Sequence, residues 1–339
     1  MNRLLKLLAA LLLVAPLSGS PRSGASWGGA SAQRREPYQP PRHSLPPPLF
    51  GEVGPQQAAA YAEQGVQIER DRSPRDLLAE HRRLGTALAG LQPQRRGRVD
   101  AFIVSAALDS DPVFGREARE AGRVLARRYG AEGRTLVLAG SDGSGPSALP
   151  MGSPDSLFAA LARVAELMDG QEDVLILYLT AHGAPLGLVY NDGDQGFGAI
   201  APARLWRGLR ELGLERRLLF VSACYSGRFV PMMMAADTAI VTASAADRTS
   251  FGCRADNDWT FFGDALVNRA LRKPQPLGQA AEEAKGLIGR WERGGGLQPS
   301  DPQVSIGDGA RRWLHQLERD LPPATPNVGR PATDALAGR

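Results

Sequence analysis

The hydrophobic residues between positions 99 and 244 fall into short continuous runs that alternate with stretches of helical spacing. Runs without polar alternation predict strands covered on both faces, and a spacing of three to four residues predicts amphipathic helices. The predicted strands are 99–108, 135–139, 174–180, 186–190, 218–223 and 238–244, and the predicted helices are 115–129, 154–168 and 203–212. This alternation predicts an α/β fold with a mostly parallel sheet that is covered by helices on both faces.

The composition changes on both sides of this region and divides the chain into segments. We predict a signal peptide over 1–25, a Pro-rich disordered arm over 26–55 and a helical N-terminal segment over 56–95, which Pro74 breaks into two helices. The main domain is predicted over 96–320. A Pro-rich tail over 321–339 is predicted to be loose.

The N-terminus has the pattern of a secretory signal. Arg3 and Lys6 precede an apolar run over 7–17, and small residues follow it. The run is shorter than the roughly 20 residues that span a bilayer. We therefore expect an exported protein, periplasmic or secreted, with a tether through an uncleaved signal as the alternative.

Charge and composition exclude some classes of function. The net charge of +4 arises from 40 basic and 36 acidic residues, and the arginines are scattered rather than grouped in blocks between aromatic residues. This distribution lacks the basic patch that is typical of a nucleic-acid-binding protein, so we expect no nucleic-acid partner. His43, His81 and His315 lack metal-ligand spacing to a cysteine or another histidine, so we expect no metal site.

The chain has two cysteines, Cys224 and Cys253, and they allow two interpretations. In an exported protein the two form a disulfide in the simpler interpretation. In the other, one of them is a nucleophile. The residues around Cys224 bear on this choice.

Two predicted strands end in reactive side chains. Strand 174–180 runs into Ala181, His182 and Gly183, and strand 218–223 runs into Cys224. Neighbouring parallel strands would place both tips at one edge of the sheet. A cysteine attacks as the thiolate and needs a group that exchanges protons with it and with the leaving amine, and histidine suits both tasks. The backbone N–H groups of Gly183 and Cys224 are the candidate oxyanion hole.

The strings Tyr-Leu-Thr-Ala-His-Gly at 178–183 and Phe-Val-Ser-Ala-Cys-Tyr-Ser-Gly at 220–227 resemble the histidine and cysteine blocks of the legumain-like C13 cysteine peptidases, which are relatives of the caspases. The resemblance extends over roughly 99–308 in element order. It implies a caspase-like three-layer sandwich, a His182/Cys224 dyad and hydrolysis of peptide bonds without a cofactor. It also implies that Cys253 is a non-catalytic cysteine.

The same resemblance suggests a substrate pocket. Arg116, Ser250 and Asp264 stand at pocket positions of the family, and Ser222 stands where legumain carries an acidic residue two positions before the cysteine. A solvated charge on a helix is the alternative for Arg116 and Asp264. Phe114 is the nearest counterpart of the asparagine that legumain has near its histidine. These departures leave the specificity open.

We therefore predict a cysteine endopeptidase that acts on a protein or peptide substrate through a Cys224 thioester. Release of the acyl group by an amine would make the enzyme a transpeptidase. The alternative from another class is a catalytically inactive caspase-like module that binds peptides. The sequence leaves the oligomeric state open.

Overall fold

The structure is a computed structural model that describes residues 47–140 and 148–336. The predicted signal peptide, most of the Pro-rich arm and the last three residues of the tail lie outside the described residues. All described residues belong to one unit, Tyr38–Arg339.

The described chain contains ten strands and eight α-helices, together with shorter 3₁₀ turns and a π-helix. The strands are β1 (Gln67–Glu69), β2 (Ala101–Ala107), β3 (Thr135–Leu138), β4 (Val174–Thr180), β5 (Gly183–Ala184), β6 (Gly187–Asp192), β7 (Gly196–Ile200), β8 (Arg217–Ser222), β9 (Thr238–Thr242) and β10 (Gln303–Ile306). The helices are α1 (Pro55–Gln64), α2 (Pro74–Ala89), α3 (Pro112–Tyr129), α4 (Pro154–Leu167), α5 (Pro202–Glu211), α6 (Val230–Met233), α7 (Leu277–Gly294) and α8 (Asp308–Leu317).

The main sheet has six strands in the order β10-β9-β8-β4-β2-β3. Five of them are parallel, and β10 pairs antiparallel with β9 at one edge. Every residue of β2, β4, β8 and β9 is buried, as their apolar runs predict. The prediction of a mostly parallel sheet in an α/β fold is confirmed.

Alternate residues of the central strands enter two separate cores. Ile176 and Tyr178 of β4 face a core with α3, the π-helix, α7 and α8, whereas Leu175 and Leu177 face a core with α4 and α5. Each fully buried aliphatic side chain contributes about 1.5–3 kcal/mol. The sheet is thus the middle layer of a three-layer sandwich.

The starts of the helices follow local signals. Ser153 precedes α4, and its Oγ accepts a hydrogen bond from the backbone N–H of Ser156 at 3.1 Å. Pro154 occupies the first helical position, where a missing N–H carries no cost. The predicted helix 154–168 is confirmed to within one residue.

A second, four-stranded sheet in the order β1-β7-β6-β5 was not predicted. The predicted strand 186–190 is β6, and it pairs antiparallel in this sheet rather than joining the parallel one. Its outer strand β1 belongs to the N-terminal segment, whose two predicted helices are present as α1 and α2. Arg72 lies 2.6 Å from Asp192 of β6 and 2.6 Å from Glu69, and the hydroxyl of Tyr190 donates to Glu69 at 2.6 Å. The segment is therefore attached to the body of the molecule through β1.

The tail that was predicted to be loose is anchored over the residues that the structure describes. The backbone N–H of Val328 donates to Asn268 at 2.8 Å, and the backbone N–H of Ala332 donates to the buried carboxylate of Asp264 at 2.9 Å. Trp259 donates its indole N–H to the carbonyl of Val328 at 2.9 Å. These partners lie in the main domain, so residues 322–336 are held rather than loose.

Among the residues from 47 to 140 and from 148 to 336, no helix has the length and apolar character that crossing a bilayer requires.

Candidate functional site

The tips of β4 and β8 lie side by side. The two strands are parallel neighbours, and Thr180 at the end of β4 pairs with Ser222 at the end of β8. Just beyond them, the backbones of Gly183 and Cys224 are in close contact: a Cβ atom at Gly183 would lie 2.0 Å from the carbonyl oxygen of Cys224. Only glycine fits at this position. The sequence prediction that both tips share one sheet edge is borne out in the described fold.

Cys224 sits on a tight turn between β8 and a 3₁₀ turn at Ser226–Phe229. Tyr225, the next residue, has a φ of 57°, a left-handed conformation that non-glycine residues rarely adopt. Reciprocal contacts between Ser226 and Ser244 hold the turn, including an N–H to Oγ bond of 3.2 Å. The strained backbone therefore presents the Cys224 side chain at the end of the strand.

The sulfur of Cys224 contacts Ser250. The backbone N–H of Ser250 donates to Sγ at 3.3 Å, and Sγ lies 3.6 Å from the carbonyl oxygen and 3.7 Å from the hydroxyl of the same residue. Both cysteines of the chain carry free thiols and are partly exposed. The interpretation in which they form a disulfide is not what the structure shows.

The imidazole of His182 lies among groups other than Cys224. Its Nε2 lies 3.2 Å from Oδ2 of Asp111, and its ring packs edge to face on Phe114 with centroids 5.0 Å apart. Cys253 also lies near the ring and raises the pKa of the imidazole. Within the described chain no hydrogen bond joins His182 to Cys224. The two predicted dyad members thus share one edge of the sheet, but the imidazole is turned towards other groups.

Those neighbours determine the charge of the imidazole. Burial lowers the pKa of His182, but the hydrogen bond to Asp111 and the nearby Cys253 and Asp109 outweigh it and raise the pKa from 6.5 to about 11. His182 therefore carries a proton at neutral pH.

Asp111 is a functional candidate that the sequence analysis missed. It is the N-cap residue of α3, directly before Pro112, yet its side chain does not cap that helix. The carboxylate reaches His182 instead, and the positive end of the α3 dipole favours a negative charge there. Asp-Pro before a helix is an ordinary start signal, so the sequence offers no sign of this role.

A buried carboxylate lies beneath the site. Glu117 of α3 is fully buried and accepts hydrogen bonds from the hydroxyls of Tyr178 at 2.7 Å and Thr180 at 3.0 Å, both on β4. It also accepts from the backbone N–H of Thr260 at 3.0 Å and its hydroxyl at 2.8 Å. The Thr260 hydroxyl in turn lies 3.2 Å from the hydroxyl of Ser222 on β8. Glu117 therefore connects the strands that carry His182 and Cys224.

The four pocket candidates are dispersed, and only Ser250 contacts a dyad member. Ser222 is 2% exposed and belongs to the Glu117 network. The guanidinium of Arg116 donates to the carbonyls of Ala255 and Asn257 in the loop that follows Ser250. Their assignment to a substrate pocket stays a prediction.

Asp264 is not a solvated charge, which was the alternative for it. It is fully buried in the π-helix Gly263–Ala270. Its carboxylate accepts hydrogen bonds from Asn268 at 2.9 Å, from Arg269 at 3.1 Å and from the backbone of Ala332 at 2.9 Å. The side chain anchors the C-terminal segment in this structure.

Asp109, Asp111 and His182 are the residues of the described chain that could hold a cation, because their ligand atoms lie within 4.8 Å of one another. Two of them already have partners of another kind. Oδ1 of Asp109 accepts the backbone N–H of Asp111 at 2.8 Å, and Oδ2 of Asp111 contacts His182. We assign no metal to this trio.

Comparison with known proteins supports the resemblance to the C13 peptidases. Residues 154–303 match the model of the Peptidase C13 family. This segment belongs to that family. It contains His182 and Cys224, whereas Asp111 and Arg116 lie before it. A cysteine-peptidase type of function follows from this membership, as the motifs predicted.

The crystal structure of caspase-1 from Spodoptera frugiperda resembles the chain with a TM-score of 0.41 and 15% sequence identity, over 64% of this chain and 93% of that chain. No curated protein sequence matches the C13-like chain.

Proposed function

We propose that the chain is a cysteine endopeptidase in which Cys224 is the nucleophile and His182 the acid/base group. The observation that carries the proposal is the pairing of Thr180 with Ser222, which brings the two reactive tips to one edge of the sheet. The C13 membership of the segment supports this assignment.

The charges at the site suggest the order of proton transfers. The thiolate of Cys224 attacks the carbonyl carbon of the scissile bond, and the C–N bond breaks as the imidazolium of His182 gives its proton to the leaving amine. Water then attacks the thioester and gives a proton to the neutral imidazole. The carboxylic acid product and the thiolate separate, the imidazolium is restored, and the released acid loses its proton to solvent.

This sequence of steps requires the imidazole to turn from Asp111 and Cys253 towards Cys224. Catalytic hydrogen bonds are often long or absent without substrate and form when it binds. Asp111 is then a positioning residue, since its carboxylate sets the charge and orientation of the ring at rest.

The close contact between Gly183 and Cys224 supports the oxyanion hole. A carbonyl oxygen that enters beside Cys224 meets a backbone with no side chain at position 183. Ser250 adjoins the sulfur and is the pocket candidate best placed to contact the residue on the acyl side of the scissile bond. The signal-peptide pattern adds that the enzyme acts in the periplasm or outside the cell.

A peptide-library cleavage profile of the wild type and of Cys224→Ala tests the proposal. We expect cleavage by the wild type and none by the variant, with equal circular dichroism spectra. Product analysis with an added amine separates hydrolysis from transpeptidation. A wild type that cleaves nothing in the library but binds peptides as well as the variant would instead favour the inactive peptide-binding module, which the missing bond between His182 and Cys224 keeps open.

A further inference from the structure

Strand β6 is bonded to two parts of the candidate site. The backbone N–H of Val189 donates to the carbonyl of His182 at 3.0 Å. Near the end of the strand, the N–H of Asn191 donates to the carbonyl of Leu108 at 3.0 Å. The N–H of Ser110 in turn donates to the carbonyl of Asn191 at 2.9 Å. β6 therefore holds both the backbone of the histidine and the loop that follows β2.

The loop after β2 carries Asp111 to the imidazole. Oδ2 of Asp111 lies 3.2 Å from Nε2 of His182, and Oδ1 of Asp109 accepts the backbone N–H of Asp111 at 2.8 Å. The hydroxyl of Ser110 accepts the backbone N–H of Gly193, in the turn after β6, at 2.9 Å. The place of this turn thus sets where the carboxylate meets the ring.

Residues 69–72 of the N-terminal segment hold the same turn from the other side. The guanidinium of Arg72 lies 2.6 Å from the carboxylate of Asp192 and 2.6 Å from that of Glu69. It also donates to the hydroxyl of Tyr190 at 3.2 Å. The Arg72 side chain is only 14% exposed, so these bonds are largely shielded from water.

The backbone adds to this attachment. The N–H of Arg70 donates to the carbonyl of Gln195 at 2.9 Å, and its Nε donates to the carbonyl of Asp194 at 3.0 Å. The side-chain amide of Gln195 donates to the carbonyl of Asp71 at 3.1 Å. Side chains and backbone together therefore join residues 69–72 to the turn between β6 and β7.

We propose that Arg72 is a positioning residue of the site, which fixes the turn after β6 and so keeps Asp111 where it meets His182. The N-terminal segment, which precedes the region 154–303 that matches the C13 family, is then part of the working site. For catalysis the inference rests on the proposed function, because the pair of Asp111 and His182 matters to turnover only if His182 is the acid/base group.

The charge of Arg72 and its positioning role act on His182 in opposite directions. Loss of a positive charge favours the protonated imidazole and raises its pKa, whereas loss of the aligned carboxylate lowers it. Burial lowers the pKa of the imidazole in the wild type, and Asp111, Cys253 and Asp109 raise it. All three groups remain in an Arg72 variant. The sign of the shift therefore distinguishes the two roles.

Nuclear magnetic resonance of labelled histidine side chains in the full chain tests the inference. Arg72→Met keeps the length of the side chain and removes its charge and its donors. We expect the pKa of His182 to fall by about 1 unit, the low end of the effect of one facing charge. Arg75→Met, at an exposed arginine of the same segment, is the control and should leave the titration unchanged. An unchanged or raised pKa in Arg72→Met would overturn the proposal.

Tyr190→Phe is a milder second variant, since it keeps the ring and removes the hydroxyl that bonds Arg72 and Glu69. We expect a smaller fall in the same direction. If Arg72→Met does not fold, this variant decides, and an unchanged titration then overturns the proposal. In the Asp111→Asn background, Arg72→Met should add no further fall, because the carboxylate through which it acts is gone; equal falls in both backgrounds would refute the route through Asp111.

Peptide cleavage is measured separately. We expect Arg72→Met to lower kcat by about tenfold with KM near that of the wild type, which is part of the roughly 100-fold or more that a general acid contributes. A chain that cleaves no peptide but shows the expected fall in pKa loses only the proposed function. A peptidase whose His182 titration does not respond to Arg72→Met loses only this inference.

Discussion

Replacement of Asp111 by asparagine removes the charge that faces His182 and keeps the shape of the side chain. The imidazole is 38% exposed and the carboxylate 24% exposed, at a separation of 3.2 Å. An opposite charge at this range shifts a pKa by about 1–3 units. We therefore expect the pKa of His182 to fall from about 11 by that amount in Asp111→Asn.

The direction of the pH dependence follows from the raised pKa. The folded state binds the His182 proton more tightly than the unfolded chain, so the pair with Asp111 stabilises the fold fully below about pH 6.5, the ordinary pKa. That contribution is lost as the pH rises through about 11. The difference in unfolding free energy between wild type and Asp111→Asn should shrink over this interval.

Nuclear magnetic resonance of labelled histidine side chains measures the shift directly. The chain has four histidines, so a His182→Gln sample assigns the resonance. Asp308→Asn, at a carboxylate that is 96% exposed, is the control and should leave the His182 titration unchanged.

Other groups also face the imidazole and contribute to the pKa of His182. Asp109 from the loop after β2, Cys253 from its own loop and the ring of Phe114 remain in the Asp111→Asn variant. Part of the upward shift should therefore persist. A His182 titration that is identical in wild type and Asp111→Asn would show that the carboxylate does not control the proton, and the positioning role would be wrong.

Three further substitutions probe the surrounding framework. Gly183→Ala places a Cβ atom 2.0 Å from the Cys224 carbonyl oxygen, so kcat/KM for a cleaved peptide should fall by about 100-fold or more; near-normal kinetics would contradict the close contact. Glu117→Gln should cost about 2–5 kcal/mol in urea unfolding, because buried hydroxyl and amide donors lose a charged acceptor. Asp264→Asn should cost about 1–3 kcal/mol and speed limited proteolysis near Ala332, whereas an unchanged digestion pattern would show that the carboxylate does not anchor the tail.

The main sheet was predictable because its strands are buried on both faces and therefore carry unbroken apolar runs. The second sheet was not: strand 186–190 was predicted, as β6, but its partners in that sheet lack the signal. β5 has two residues, and β7 contains Gly196 and Gly198 where β-branched or aromatic residues would be expected. A Cβ atom at Gly196 would lie 2.3 Å from the hydroxyl of Tyr190, so packing across the sheet demands the glycine that weakens the strand pattern.

Some residues of the site were likewise predictable from the sequence and others were not. His182 and Cys224 directly follow apolar strands, and the alternation of strands and helices predicts that these strands are parallel. Their position at one edge of the sheet was therefore predictable. Asp111 and Cys253 reach the imidazole from a helix start and from a loop, and the path of a loop depends on contacts distant in sequence. The orientation of the ring at rest was therefore beyond the reach of the motifs.

The departure at Ser222 from the legumain-like pattern has a physical reason in the Glu117 network. Ser222 is 2% exposed, and its hydroxyl lies 3.2 Å from the Thr260 hydroxyl, which already donates to the buried carboxylate of Glu117. An acidic residue at position 222 would place a second buried carboxylate on the same threonine, and like charges in a buried site strongly oppose each other. This chain carries its buried acid on α3 and a neutral hydroxyl on β8. A specificity that depends on an acid at position 222 therefore does not transfer to this chain.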